Sequence, residues 1–139
     1  MLFRSYWGGT APVFNNQGTF IKNTGTGTTS FTNVAFNNSG TVDVQTGTLN
    51  FGGGGTNTGT LTVASGATLQ FSSGTFTNST SFAGGGGLAI TGGTTNFNGT
   101  TTSNADAVTA SGGTVNFNSA SGTTLPALAI SGATGQARH

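Results

Sequence analysis

Residues 41–51 read TVDVQTGTLNF, and residues 60–71 repeat the pattern as TLTVASGATLQF. In each copy, an alternating apolar and polar stretch is followed by a corner of small residues and a second alternating stretch that ends on phenylalanine. Alternation with a period of two predicts a strand with one buried face. A glycine between two such stretches permits a tight bend. Each copy therefore predicts two short strands joined by a corner.

The phenylalanine that closes this phrase recurs along the chain with spacings of 20, 20, 26 and 20 residues, at Phe31, Phe51, Phe71, Phe97 and Phe117. A period near 20 residues is typical of a stacked repeat, in which one unit buries its apolar face only against its neighbours. We expect these five rings to form one buried column. An aliphatic column is expected beside it, made of Val44, Val63, Ile90 and Ala110.

A third strand-sized element precedes each pair, as FNNQGTF at residues 14–20, as FNNSGTV at residues 36–42 and more loosely at residues 82–88. Three strands and three corners in about 20 residues make one coil of a parallel β-helix, or β-solenoid. The high content of Gly, Thr, Asn and Phe disfavours helix and suits strands and turns. The prediction is an all-β chain with a non-repeat segment at residues 1–12, about five to six coils at residues 13–134, and a C-terminal tail at residues 135–139.

The repeat has two irregularities. The 26-residue interval predicts an outward excursion around Thr77–Gly86, which would be a candidate binding loop because insertions in solenoids map to loops on one face. After Ile130 the expected phenylalanine falls on Ala137, and no polar cap closes either end. Since solenoids need such caps, we expect a segment of a longer protein, whose open ends make the isolated chain associate end to end.

The composition excludes several classes of partner. Only 4% of the residues are charged and the net charge is +1, so there is no basic patch for nucleic acid or anionic lipid. Cysteine is absent, which excludes disulfides and thiolate metal sites. No run of 18 apolar residues predicts a transmembrane helix. The N-terminus lacks the apolar core of a signal peptide, so an export signal would lie outside this chain.

The sequence offers little material for catalysis. Asp43 and Asp106 lie about three coils apart, hence at least ~14 Å by strand spacing, which exceeds the ~9.5 Å limit for an inverting glycosidase pair. His139 is the only histidine. Lys22 and Arg4 are isolated cations that we expect to be solvated. We therefore predict no catalytic, cofactor-binding or metal site.

Two glycine runs and three glycosylation sequons are assigned to the scaffold. Gly52–Gly55 and Gly84–Gly87 lack the Lys-Ser/Thr of a phosphate-binding loop, and we expect them to be flexible corners. Sequons begin at Asn37, Asn78 and Asn98, and a chain rich in Asn and Thr produces such triplets from its composition alone.

The stretches FNNSGTV at residues 36–42 and GTLTVASGATL at residues 59–69 resemble the repeats of bacterial autotransporter passengers and filamentous adhesins. The resemblance covers residues 13 to 134. It implies a right-handed β-helix in an extracellular or cell-surface protein, with roles in adhesion, biofilm formation or display. No functional residue carries over, because the matching positions are structural.

Two functions from different classes follow. The first is a non-catalytic structural or display scaffold in an adhesin-like bacterial surface protein, with the adjacent coils of the parent protein and surface glycans as partners. The second is a fragment of a β-helix polysaccharide-degrading enzyme whose active site lies outside this chain. A minor alternative is glycan or ice binding by outward Thr and Asn arrays. Mixed residues at Thr48, Gln70, Asn96 and Asn116 argue against ice.

Overall fold

The computed structural model describes residues 10–99, 107–118, 128–132 and 134–137. These residues form only β-strands, and every strand pair is parallel. The strands stack as a β-solenoid of about five turns with a spacing near 20 residues. The predicted all-β parallel solenoid is confirmed.

The strands follow one another coil by coil. Coil 1 contains β1 (Val13–Asn16), β2 (Thr19–Lys22) and β3 (Thr28–Thr32), and coil 2 contains β4 (Ala35–Asn38), β5 (Thr41–Val44) and β6 (Thr48–Gly52). Coil 3 contains β7 (Gly55–Asn57), β8 (Thr60–Val63) and β9 (Thr68–Phe71), and coil 4 contains β10 (Thr75–Asn78), β11 (Phe82–Ala83) and β12 (Gly87–Ile90). The later strands are β13 (Thr94–Phe97), β14 (Val108–Ala110), β15 (Thr114–Phe117), β16 (Leu128–Ile130) and β17 (Thr134–Ala137).

Three sheets run along the solenoid. Sheet A has the order β1-β4-β7-β10-β13-β15-β17, sheet B the order β2-β5-β8-β11, and sheet C the order β3-β6-β9-β12-β14-β16. Equivalent residues of successive coils therefore form columns, in which neighbouring residues are about 4.8 Å apart. Inward and outward residues alternate along most strands; in β5, for example, Val42 and Val44 are buried while Asp43 is half-buried. This pattern is the period-two alternation of the sequence.

The predicted column of five phenylalanines is wrong. Phe31, Phe51 and Phe71 do share a column in sheet C, but Ile90 lies next above Phe71. Phe97 instead pairs with Phe117 in sheet A. The cause is a change of sheet: the phrase that ends on phenylalanine occupies sheets B and C in coils 2 and 3, and sheets C and A in later coils.

The same change of sheet removes two further expectations. Val44 pairs with Val63 in sheet B, whereas Ile90 pairs with Ala110 in sheet C, so the aliphatic column is two separate columns. The candidate loop at Thr77–Gly86 does not exist, because Phe76 and Phe82 are both buried within strands. The 26-residue interval joins residues of two different sheets, while the true repeat between Phe71 and Ile90 is 19 residues.

Rings from sheets A and C interdigitate in the core. Phe51 of sheet C stacks between Phe36 and Phe76 of sheet A, with ring centroids 4.4 and 5.3 Å apart. The sheet A residue in register between those two rings is Gly55, which leaves room for the Phe51 ring. Burial of each such ring contributes roughly 1.5–3 kcal/mol, so these columns dominate the stability of the coils.

In the first glycine run, Gly52–Gly55, glycine is required by close packing rather than by a need for flexibility. Gly55 has a φ of 133°, and a Cβ there would lie 2.0 Å from the Phe36 carbonyl oxygen. Gly84, in the second run, has a φ of 95°, and its Cβ would lie 2.1 Å from the Val63 carbonyl oxygen. Both runs are therefore tightly packed corners where neighbouring coils approach backbone to backbone.

Candidate functional site

A buried asparagine ladder runs along the corner between sheets A and B. Its members are Asn16, Asn38, Asn57 and Asn78, which occupy the same inward position in coils 1 to 4. The Nδ2 group of each of the first three donates to the Oδ1 atom of the next at 2.7 Å. Each Nδ2 also reaches carbonyls of the corner, such as the Thr41 carbonyl at 2.8 Å from Asn16. The ladder therefore joins adjacent coils and closes their turns.

The ladder ends at Asn78, and the same column of sheet A continues with Phe97 and Phe117. Phe97 lies in register above Asn78, and the Nδ2 group of Asn78 donates to the Thr80 carbonyl of its own corner instead. The Thr80 hydroxyl accepts from Asn57 Nδ2 at 2.8 Å and donates to the Gly59 carbonyl at 2.7 Å. Every amide donor of the ladder thus has an acceptor, as buried polar groups require. This arrangement makes the ladder structural rather than catalytic.

Sequence reasoning missed this ladder because it treated asparagine as a surface residue. A signal was present: each of the first three members begins an Asn-x-Gly triplet, at residues 16–18, 38–40 and 57–59. An asparagine that starts a turn can hydrogen-bond the backbone two residues further on. In coils 2 and 3 its amide does so, reaching the Gly40 and Gly59 carbonyls at 3.3 Å.

A second polar column lies on the outward face of sheet A. It consists of Asn15, Asn37, Thr56, Thr77, Asn96 and Asn116. Hydrogen bonds join several neighbours, including Asn37 Nδ2 to Asn15 Oδ1 at 3.1 Å and Asn116 Nδ2 to Asn96 Oδ1 at 2.8 Å. All six members are uncharged. The column presents amide and hydroxyl groups once per coil, which suits hydrogen bonding to a neutral repeating ligand and supplies no acid or base.

The ionisable residues do not converge in the described part of the chain. Asp43 points outward from β5 and accepts a hydrogen bond from Gln45 Nε2 at 2.6 Å. Arg4, Asp106 and His139 lie outside the described residues, so the separation of the two aspartates stays a prediction. The part that the structure describes contains no group of three or more His, Cys, Asp or Glu side chains able to hold a metal ion.

Lys22 is buried, which corrects the expectation that it is solvated. It is 8% exposed and points inward from β2, in the column continued by Val44 and Val63. Its Nζ atom lies 3.3 Å from the Thr24 carbonyl oxygen and 3.5 Å from the Gly25 carbonyl oxygen. The strand alternation forces the inward direction, and the long side chain lets the ammonium group reach the corner carbonyls.

The three sequons differ in accessibility. Asn78 is fully buried in the ladder, and Asn37 is half-buried and bonded to Asn15. Asn98 is exposed, and its Oδ1 accepts from Asn118 Nδ2 at 2.9 Å. The triplet at Asn78 is thus explained by its structural position.

Nothing in the described part of the chain forms a helix with the length and apolar character needed to cross a membrane. The chain matches no protein-family model, no curated protein and no solved structure. The geometry identifies the molecule by its architecture: a parallel β-solenoid of about five turns, closed by an internal asparagine ladder and aromatic columns.

Proposed function

We propose that this chain is a non-catalytic scaffold segment of a bacterial extracellular surface protein, of the autotransporter-passenger or filamentous-adhesin type. The observation that carries the proposal is the asparagine ladder, whose 2.7 Å hydrogen bonds connect each coil to the next. Such a ladder fixes the order and register of coils, which is the property that a stalk or display rod needs. The low charge and the repeat phrases support the same role.

Labelling of intact cells tests the location. These 139 residues contain no cysteine, so Thr77→Cys on the outward face of sheet A adds one thiol to this segment. A membrane-impermeant maleimide should label this variant, expressed in its parent protein, as strongly on intact cells as after lysis. Labelling that requires lysis would contradict an extracellular role. The matched control is Thr95→Cys, which lies fully buried and should react only after denaturation.

Glycan binding is a second candidate, favoured by the outward polar column on sheet A. A neutral polysaccharide that binds there should lose affinity when Asn96 and Asn116 are replaced by alanine. The control is Asn50→Ala, which removes an amide from the outward face of sheet C, where it donates to Ser30 Oγ at 3.4 Å. Equal loss in both variants, or retention in both, would contradict binding by the sheet A column.

Ice binding loses support in the observed register. Thr48, Gln70 and Asn96 occupy three different columns, so their mixed identities do not describe one outward array. The true threonine columns are Thr19, Thr41 and Thr60 in sheet B; Thr28, Thr48 and Thr68 in sheet C; and Thr75, Thr94, Thr114 and Thr134 in sheet A. Among the described strands, no sheet pairs two threonine columns along its length.

The polysaccharide-degrading alternative places its active residues outside this chain, and the flanking reading frame distinguishes it from a scaffold. A neighbouring coil rich in carboxylates would favour the enzyme. Many further coils followed by a membrane-anchoring or translocating end would favour the scaffold.

A further inference from the structure

One exposed asparagine of the solenoid is followed directly by glycine. Among the described residues, the exposed asparagines are Asn15, Asn23, Asn33, Asn98 and Asn118. Only Asn98 precedes a glycine, Gly99, whereas the other four precede larger residues. A glycine has no Cβ to restrict its backbone, so its nitrogen can approach the side-chain carbonyl carbon of the residue before it. Asn98 is therefore the described asparagine that is most open to attack by its own main chain.

The fold explains why glycine follows Asn98. Gly99 lies two residues beyond Phe97, at the corner position that Gly40 and Gly59 occupy in coils 2 and 3. A Cβ atom on Gly99 would lie 2.6 Å from the Ser79 carbonyl carbon. The residues before the glycines of coils 2 and 3 are Ser39 and Thr58. Close packing thus accounts for the glycine, but nothing in the corner requires an asparagine before it.

Two hydrogen bonds hold Asn98 in place. Its Oδ1 atom accepts from Asn118 Nδ2 at 2.9 Å, and its backbone N–H donates to the Asn78 carbonyl at 2.7 Å. The first bond draws electrons from the side-chain carbonyl and stabilises negative charge on Oδ1, as a donor does for any developing oxyanion. The second anchors the main chain on the near side of the residue. Asn118 is therefore a positioning residue for a reaction at the Asn98 amide.

From this geometry we propose that Asn98 is a site of spontaneous deamidation, assisted by Asn118. The backbone nitrogen of Gly99 attacks Cγ of Asn98 and gives its proton to solvent. The new N–Cγ bond closes a five-membered succinimide, and the Cγ–Nδ2 bond breaks as Nδ2 leaves as ammonia. Water then opens the succinimide at either carbonyl, which produces aspartate or isoaspartate at position 98. The net reaction consumes one water and releases one ammonia, with no change of oxidation state.

The modification changes both the charge and the packing of the rod. A carboxylate replaces a neutral amide beside the uncharged outward column of sheet A, and it removes the formal net charge of +1. Isoaspartate also inserts a methylene group into the main chain before Gly99, which displaces that glycine from its close contact with Ser79. The inference goes beyond the scaffold role, because it gives an otherwise neutral face a negative charge that accumulates with age.

Peptide mapping by mass spectrometry tests the site. The full chain is incubated at neutral and mildly alkaline pH, and amide-to-acid conversion is followed at each asparagine. Conversion at Asn98 should be at least about tenfold faster than at Asn15, Asn23 or Asn33, a difference of about 1.4 kcal/mol in the barrier. Conversion at Asn98 that is no faster than at these three exposed asparagines would overturn the proposal.

Two alanine variants test the assistance by Asn118. Asn118→Ala should slow conversion at Asn98 several-fold, because the donor to Oδ1 is lost. The matched control is Asn116→Ala, which removes an amide that donates instead to Asn96 Oδ1 at 2.8 Å and should leave the rate at Asn98 unchanged. Equal rates in the two variants, with circular dichroism spectra like that of the parent chain, would contradict the role of Asn118.

The products test the route. Attack by Gly99 passes through a succinimide, so enzymatic methylation specific for isoaspartate should label position 98 in the aged chain. Asn98→Gln should abolish this label, because the longer side chain cannot close the same five-membered ring. Aspartate without isoaspartate at position 98 would indicate direct hydrolysis by water and would overturn the proposed attack by the main chain.

Discussion

Replacement of Asn57 by alanine interrupts the ladder at its centre. Asn57 accepts from Asn38 at 2.7 Å and donates to Asn78 Oδ1 at 2.7 Å, to the Thr80 hydroxyl at 2.8 Å and to the Gly59 carbonyl at 3.3 Å. The Asn78 Oδ1 atom then loses this donor in a fully buried site. The Nδ2 group has two hydrogens, so its three acceptors count as two full hydrogen bonds. With these two and the accepted bond at about 1 kcal/mol each and a buried orphan at about 1–3 kcal/mol, the expected loss is about 4–6 kcal/mol.

The assay is urea unfolding followed by circular dichroism. The slope of the unfolding free energy against urea concentration is compared among variants, because a shifted midpoint reports a change in stability when that slope is unchanged. The control is Thr56→Ala, one residue away on the outward face, where the hydroxyl makes a single exposed hydrogen bond to Asn37 at 3.2 Å. This surface change should cost under about 0.5 kcal/mol. The reasoning is refuted if Asn57→Ala destabilises the chain no more than Thr56→Ala does.

Three further changes test the core. Phe71→Ala should lower the free energy of unfolding by about 3–5 kcal/mol because it leaves a cavity, whereas the neighbouring outward change Gln70→Ala should lower it by under about 0.5 kcal/mol. Equal unfolding midpoints would contradict the assignment of Phe71 as inward and Gln70 as outward. Thr95 is fully buried with an unpartnered hydroxyl. Thr95→Val should therefore increase the free energy of unfolding by about 1–3 kcal/mol and raise the thermal midpoint; a lower midpoint would indicate a partner for that hydroxyl. Gly55→Ala should lower the midpoint, because its Cβ would meet the backbone 2.0 Å away; unchanged stability would show that the corner relaxes.

Local patterns predicted the coil and its inward and outward residues. The alternation in residues 41–51 depends only on neighbours in sequence, and β5 and β6 follow it. The register between distant coils could not be obtained in this way. An apolar pair, a glycine corner and a closing phenylalanine fit sheets B and C as well as sheets C and A, so Phe51 and Phe97 have the same sequence surroundings in different sheets.

Polar residues were harder to place than apolar ones. Asn57 and Lys22 are polar by composition yet lie inside, because the strand alternation directs them inward and corner carbonyls satisfy their donors. Burial of such a group is favourable only when its partners are in place. Those partners come from other coils or from the shape of the corner, which a single sequence window does not contain. Their placement therefore required the three-dimensional register.

The register of the coils is the central claim, and oxidative crosslinking tests it directly in this cysteine-free chain. A disulfide requires Cα atoms about 4.4–6.8 Å apart, close to the spacing of neighbouring strands. Gln70 pairs with Ala89 in the observed register, whereas alignment by the phenylalanine phrase would pair Gln70 with Asn96. The account predicts rapid crosslinking of Gln70→Cys/Ala89→Cys and none for Gln70→Cys/Asn96→Cys, and the opposite result would contradict it.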